Sequence, residues 1–156
     1  MPLNGEFKPS RNDRTRKQVE LYEATNGLAG GTLDDKPVII LTYKGAKSGK
    51  IRKTPLMRVE RDGTYAVAAS CAGAATHPLW YGNIVANPIV ELQDGAIKQE
   101  LRAREVFGQE KEEWWKRMDA AFSNFPEYRA RAARAGREIP VLVLEPLRSA
   151  AESAAP

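Results

Sequence analysis

The sequence predicts an α+β protein, a small barrel of about six antiparallel strands with helices packed around it. Three observations lead there. Asp62-Gly63 and Asp94-Gly95 each separate two extended, alternating segments, and Asp-Gly pairs are strong hairpin signals. Helical periodicity is confined to stretches outside those hairpins, and a closing apolar run, Ile139 to Leu144, follows the last of them. Two hairpins in close succession favour antiparallel pairing, because parallel strands need long crossovers.

Along the chain, residues 1–13 are polar and are expected to form a flexible N-terminus. Asn12 or Asp13 caps a short charged helix from Arg14 to about Ala24, whose thin apolar face is Val19, Leu21 and Tyr22. The glycines and proline of NGLAGGTLDDKP then predict a loop. Strands follow at Val38 to Tyr43, Ile51 to Glu60 and Tyr65 to Ser70. Pro78 opens a short helix in HPLWYGNIVAN that Asn87-Pro88 ends, since proline suits a first turn and disfavours helix in the residue before it. The second hairpin pairs Ile89 to Leu92 with Ala96 to Val106. A helix over Gln109 to Asn124 carries Trp114, Trp115, Met118, Ala121 and Phe122 as a stripe for core packing, and a helical piece from Glu127 to Ala135 precedes the closing strand. Residues 14–148 thus make one domain, and the tail 149–156, SAAESAAP, is expected to be disordered.

Composition narrows the function. Among 156 residues there is one cysteine, Cys71, and one histidine, His77, which leaves no disulfide and no metal-binding cluster, so no metal is expected. The N-terminus lacks a secretory h-region, and no apolar run nears the roughly 18 residues of a membrane span, so a cytoplasmic protein without stable membrane insertion is expected. The net charge of +4 is concentrated in one place. Between Asp35 and Glu60 there is no acid, while Lys36, Lys44, Lys47, Lys50, Arg52, Lys53 and Arg58 are all cationic.

The core of that segment is LTYKGAKSGKIRKTPL. A nucleotide-binding P-loop is excluded, because three residues rather than four separate Gly45 from Gly49 and Ile51 stands where a magnesium-binding Ser or Thr belongs. Its glycine-bearing turn offers backbone amides, Ser48 and several cations that can converge on an anion, and the chain then runs directly into apolar Pro55 and Leu56. A solvated hairpin with cations kept outside for solubility is the plainer alternative. A basic barrel for single-stranded nucleic acid would need aromatics among the cations for base stacking, and Tyr43 is the only one.

The ordered set VIILTYKGAKSGKIRKTPL, DGTYAVAAS, HPLWYGNIVANP and IPVLVLEP resembles the deazaflavin-dependent nitroreductase and quinone reductase family of actinobacteria, over about Leu28 to Pro146. The resemblance implies a split β-barrel related to FMN-binding proteins. It also implies coenzyme F420, a deazaflavin whose phosphodiester and oligoglutamate tail would give the cationic segment its purpose. Carried over by position, Ala46, Lys47 and Ser48 meet the phosphate and tail, continued by Arg52, Lys53 and Thr54. Pro55, Leu56 and Met57 line the ring with Ala68, Ala69, Ser70 and Cys71. Leu79, Trp80, Tyr81, Gly82 and Asn83 complete the phosphate end, and Tyr128 covers the ring.

The implied reaction is hydride transfer from reduced deazaflavin to a small organic acceptor such as a quinone, nitroaromatic or enone. Ser70 is the expected hydrogen-bonding group near the acceptor and Tyr128 a stacking or lid residue; these are the catalytic candidates. Where some members carry tyrosines on the substrate side, this chain has Met57, Phe125 and Arg131, which counts against bulky nitroimidazole prodrugs. Its charged N-terminal helix counts against a membrane quinone site. A barrel that carries flavin or haem without turnover is the rival reading, and monomer and homodimer are both left open.

Overall fold

A computed structural model describes residues 3–147. In order it contains helix α1 (Asp13–Thr25), strands β1 (Thr32–Leu33), β2 (Lys36–Lys44), β3 (Ile51–Met57), β4 (Glu60–Arg61) and β5 (Thr64–Ala68), a 3-10 turn at Cys71–Gly73, helix α2 (Leu79–Ala86), strands β6 (Ile89–Asp94) and β7 (Ile97–Val106), helices α3 (Gly108–Ala121) and α4 (Phe125–Arg134), and strand β8 (Val141–Pro146). The strands form one curled antiparallel sheet in the order β3-β2-β6-β7-β8-β5-β4, with β1 paired to the start of β2. This is the expected split β-barrel. The two additional strands, β1 and β4, have two residues each and exist only through their partners.

Alternation along the strands builds two layers from single segments. In β2, Ile39, Leu41 and Tyr43 face the barrel interior, where Val67, Leu92 and Leu144 meet them. Val38 and Ile40 face the other way, against Val19 and Tyr22 of α1. Strand β8 divides likewise: Leu142 and Leu144 point inward, while Val141 and Val143 pack under Trp114, Met118 and Phe122 of α3 and its end. Burial on both faces explains why these strands read as unbroken apolar runs. Of the expected α1 anchors, Leu21 stays 47% exposed.

Asn12 caps α1, its side chain accepting from the Thr15 amide at 3.0 Å. Asp62 and Gly63 take the left-handed conformations that a tight hairpin requires. A second such turn uses Asp34 and Asp35, at φ 49° and 61°, between β1 and β2, where the sequence predicted an open loop. The strand expected to reach Glu60 breaks at Arg58 and Val59, and the one expected to reach Ser70 ends at Ala68. The N-terminal arm is irregular yet anchored: the Ile51 amide donates to Glu6 and the Lys8 amide to Ile51, each at 2.9 Å. The expected tail 149–156 lies outside the described residues.

Candidate active site

Strands β3 and β4 lie at opposite edges of the sheet, yet only Arg58 and Val59 separate them in the chain. That short tie draws β3 and β5 toward each other and leaves a cleft of about 280 Å³ at the seam. Pro55, Leu56 and Met57 form one wall, and Ala66, Ala68, Ser70 and Ala72 form the other. Met118, Phe122, Phe125 and Tyr128 close it from α3 and α4, while Arg14, Leu33 and Asp34 stand on the α1 side. A concave, mostly apolar lining with a few polar groups is what a flat organic ligand needs.

Aromatic packing sets the closing wall. Phe122 and Phe125 meet edge-on with centroids 5.2 Å apart, and Tyr128 contacts both at 5.9 and 6.3 Å. Helix α4 is fixed to α3 by a two-pronged pair, with Arg129 donating to both carboxylate oxygens of Asp119 at 2.8 Å. The Ser70 hydroxyl is half-buried on the cleft and makes no hydrogen bond among the described residues, so it is available to a ligand.

The turn that carries Ser70 is strained. Cys71 and Ala72 have φ of 47° and 53°, and Gly73 follows at 77°. Left-handed geometry costs a non-glycine residue on the order of 1 kcal/mol, and it persists only where the surroundings impose it. Here they do. Arg137, just before β8 and only 8% exposed, donates to the carbonyls of Ala69 (3.0 Å), Ser70 (2.5 Å) and Ala74 (2.8 Å) and to His77 Nδ1 (2.9 Å). Arg131 adds a bond to the Ala72 carbonyl at 2.9 Å. Because arginine only donates, His77 Nδ1 is the acceptor and the ring proton sits on Nε2. Burial, and then the adjacent Arg137 charge, hold His77 below the usual imidazole range. The His77 ring packs on Tyr81 at 4.8 Å, and burial together with a hydrogen bond to Glu105 pushes the Tyr81 phenol up to about 12.

The cationic connection between β2 and β3 lies beside the start of α2, where the Ala46 amide donates to Asn83 Oδ1 at 3.0 Å. The expected nest of backbone amides is largely used internally: Gly45 donates to Lys50, Gly49 to Gly45, and Lys50 to the Ser48 hydroxyl. The groups left free to meet an anion there are chiefly side chains. They divide by strand parity. Arg52 pairs across the ladder with Tyr43, and Thr54 with Leu41, so both share the face of Leu56. Lys53 pairs with Thr42 on the opposite face, where it forms an ion pair with Glu23 of α1 and sits 5.3 Å over the Phe7 ring. Lys50 bonds to Glu6 at 3.2 Å. Lys44, Lys47 and Arg52 have no ion pair among the described residues.

Of the other expected site residues, Pro55, Leu56, Met57, Ala68, Ser70 and Tyr128 line the cleft. Ala69 and Trp80 turn into the barrel core, and Tyr81 packs against it. Leu79 and Cys71 are exposed, as is Gly82, while Asn83 reaches the loop. Sequence reasoning missed Arg14, Leu33, Asp34, Val59, Ala66 and Ala72. Arg137 was missed as well, since a lone arginine between a helix and a strand carries no local signal. Tyr43, the single aromatic of the basic segment, is buried in the barrel and offers no stacking surface to a base.

Known proteins resemble the chain in sequence and in fold. The family model described as F420H(2)-dependent quinone reductase matches residues 14–146. The chain belongs to that family. It is 31% identical over 127 residues to the F420H(2)-dependent quinone reductase Rv1261c of Mycobacterium tuberculosis, covering 80% of this chain and 84% of that one. A solved F420-H2 dependent reductase, FDR-A, superposes with a TM-score of 0.65 at 45% identity over 70% of this chain and 94% of its own. A second solved structure, described only as a domain-swapped dimer, reaches a TM-score of 0.67 at 42% identity over 83% of this chain and 96% of its own. Family membership makes the chain an oxidoreductase that uses coenzyme F420. No helix among the described residues is long and apolar enough to cross a membrane.

Proposed function

We propose that the chain reduces a small planar acceptor, a quinone, nitroaromatic or enone, in the cleft between β3 and β5, with coenzyme F420 as the donor. One observation carries this reading. Leu56 of the apolar cleft and the cation Arg52, which has no ion pair among the described residues, share one face of β3 about 13 Å apart along the strand at the usual rise per residue, while Pro55 and Met57 reach the cleft from the other face. An apolar recess continued by a cationic track fits a ligand with a flat ring and an anionic tail. The donor set is suitable: Arg52, Lys47 and Lys44 have charge to spare, and the apolar side chains of β3 and β5 offer flat walls.

Reduced coenzyme F420, when bound, supplies a hydride. The side chains do the rest. Arg52 and Lys47 hold the anionic end by charge-assisted hydrogen bonds. Ser70 donates its hydroxyl proton in a hydrogen bond to the acceptor's carbonyl or nitro oxygen, which fixes its distance and polarises it as it gains electron density. Tyr128, set by Phe122 and Phe125, stacks on the acceptor. Met57 and Phe125 keep water out of the recess. The proton that completes the reduction comes from solvent or from the Ser70 or Tyr128 hydroxyl.

The test is anaerobic oxidation of reduced F420 by the purified protein with one acceptor of each class, followed through the deazaflavin's visible absorbance, beside titrations of tryptophan fluorescence with F420 and with FMN. Turnover with at least one class and preference for F420 are expected. Binding of FMN as tight as that of F420, without turnover, would return the carrier reading.

A further inference from the structure

We propose that Arg137 and Arg131 form a two-guanidinium clamp on the carbonyls of the Ala69–Ala74 turn, and that this clamp positions the Ser70 wall of the cleft. The inference rests on the reading of the cleft given above. Neither arginine lines the recess, although the Arg131 guanidinium lies 5.9 Å from the Tyr128 ring centroid and pairs with Glu127 at 3.4 Å. Both are positioning residues.

The geometry makes a structural filler an inadequate account of Arg137. The guanidinium is buried, and its partners are three carbonyls and one imidazole nitrogen rather than a carboxylate. Burying a cation without a counter-ion is unfavourable unless its donors are fully used, and an apolar side chain would stabilise the same space more simply. What the guanidinium achieves that an apolar group cannot is to gather carbonyls from residues 69, 70 and 74, which a left-handed turn directs toward one point. Arg131 takes the carbonyl in between, that of Ala72. Gly73 closes the turn against α4, where an added Cβ would stand 2.6 Å from the Tyr128 carbonyl oxygen. The same Arg137 reaches His77, whose ring rests on Tyr81 of α2, and Asn83 of α2 holds the cationic loop. One side chain therefore ties the recess wall to the helix beside the cationic track.

Lysine at position 137 keeps the charge but cannot serve four acceptors in a fixed plane, so Arg137→Lys separates charge from geometry. Arg131 is solvent-exposed, so Arg131→Gln leaves the core intact and keeps the proposal testable should Arg137→Lys fail to fold. Two measurements are made on the full chain: amide hydrogen exchange of residues 70–74 without ligand, and F420 affinity from tryptophan quenching at low and high salt. The clamp predicts faster exchange confined to the turn and affinity weakened about tenfold for Arg137→Lys, and less for Arg131→Gln, because a wall displaced by a fraction of an ångström misplaces the ring. The salt dependence of affinity should be unchanged, since the cationic track is untouched. Unchanged turn exchange, or faster exchange with affinity within about twofold of wild type, would overturn the proposal. A wild type that binds no F420 would defeat the reading of the cleft, while the exchange data would still decide whether the clamp exists.

Discussion

Arg52→Ala and Lys53→Ala should have opposite consequences although the residues are neighbours. The pleat puts Arg52 on the Leu56 face of β3, free of ion pairs among the described residues, and Lys53 on the opposite face, where it pairs with Glu23 of α1. A hydrogen bond to a charged group contributes about 1.5–3 kcal/mol. Arg52 is half-exposed, so the lower end applies, and 1.5–2 kcal/mol corresponds to about a ten- to thirtyfold loss of F420 affinity. The Arg52→Ala loss should shrink as salt rises, because screening already weakens the wild-type contact. Lys53→Ala should bind F420 within about twofold of wild type and instead lose about 0.5–1 kcal/mol of folding stability, as expected for a partly exposed pair. Fluorescence titration at two salt concentrations and urea denaturation of each variant give both numbers. Equal affinity losses in the two variants would refute the division of the cationic segment by strand parity.

Met118, fully buried beneath the cleft, should lose about 2–5 kcal/mol as Met118→Ala, read from the urea midpoint at unchanged slope. Ser70→Ala should leave stability within about 0.5 kcal/mol, since the hydroxyl has no partner among the described residues, yet lower kcat/KM about three- to tenfold for an acceptor that it hydrogen-bonds. His77 predicts a pH effect. Its folded-state value lies below the ordinary one, so the unfolded chain binds the proton more readily, and stability present above about pH 6.5 falls as the solution is acidified through that range. The difference between wild type and His77→Gln, followed by denaturation from pH 7.5 to pH 5, isolates this from the carboxylates; parallel curves would remove His77 from the account.

Much of the fold is legible in the chain because its signals are local. Asp-Gly turns, the Pro78 helix start, the Asn12 cap and the apolar stripe of α3 each act within a few residues. The misses are places where tertiary contact decides. Strand β1 has two residues and a turn of two aspartates, so nothing but its pairing to β2 defines it. The recess was half visible: the β3 and β5 walls follow from the motif, whereas Arg14, Leu33 and Asp34 arrive from an α1 side that no periodicity aims at a ligand. Lys53 shows the limit most plainly. Sequence proximity grouped it with Arg52, and only knowledge of which face meets α1 separates them.

The two-residue tie from β3 to β4 acts as a fixed ruler. The Arg58 amide donates to Pro37 and the Ala66 amide to Val59, each at 3.0 Å, and the Arg58 side chain is pinned to Asp94 at 2.9 Å, so the gap between the cleft walls is set by backbone rather than by flexible side chains. Acceptor range in this scaffold can then be changed along two independent axes. Exchanging Met57 or Phe125 reshapes the recess at constant aperture, whereas inserting a residue at Arg58-Val59 resets the aperture itself, making that dipeptide the place to begin a library aimed at bulkier acceptors.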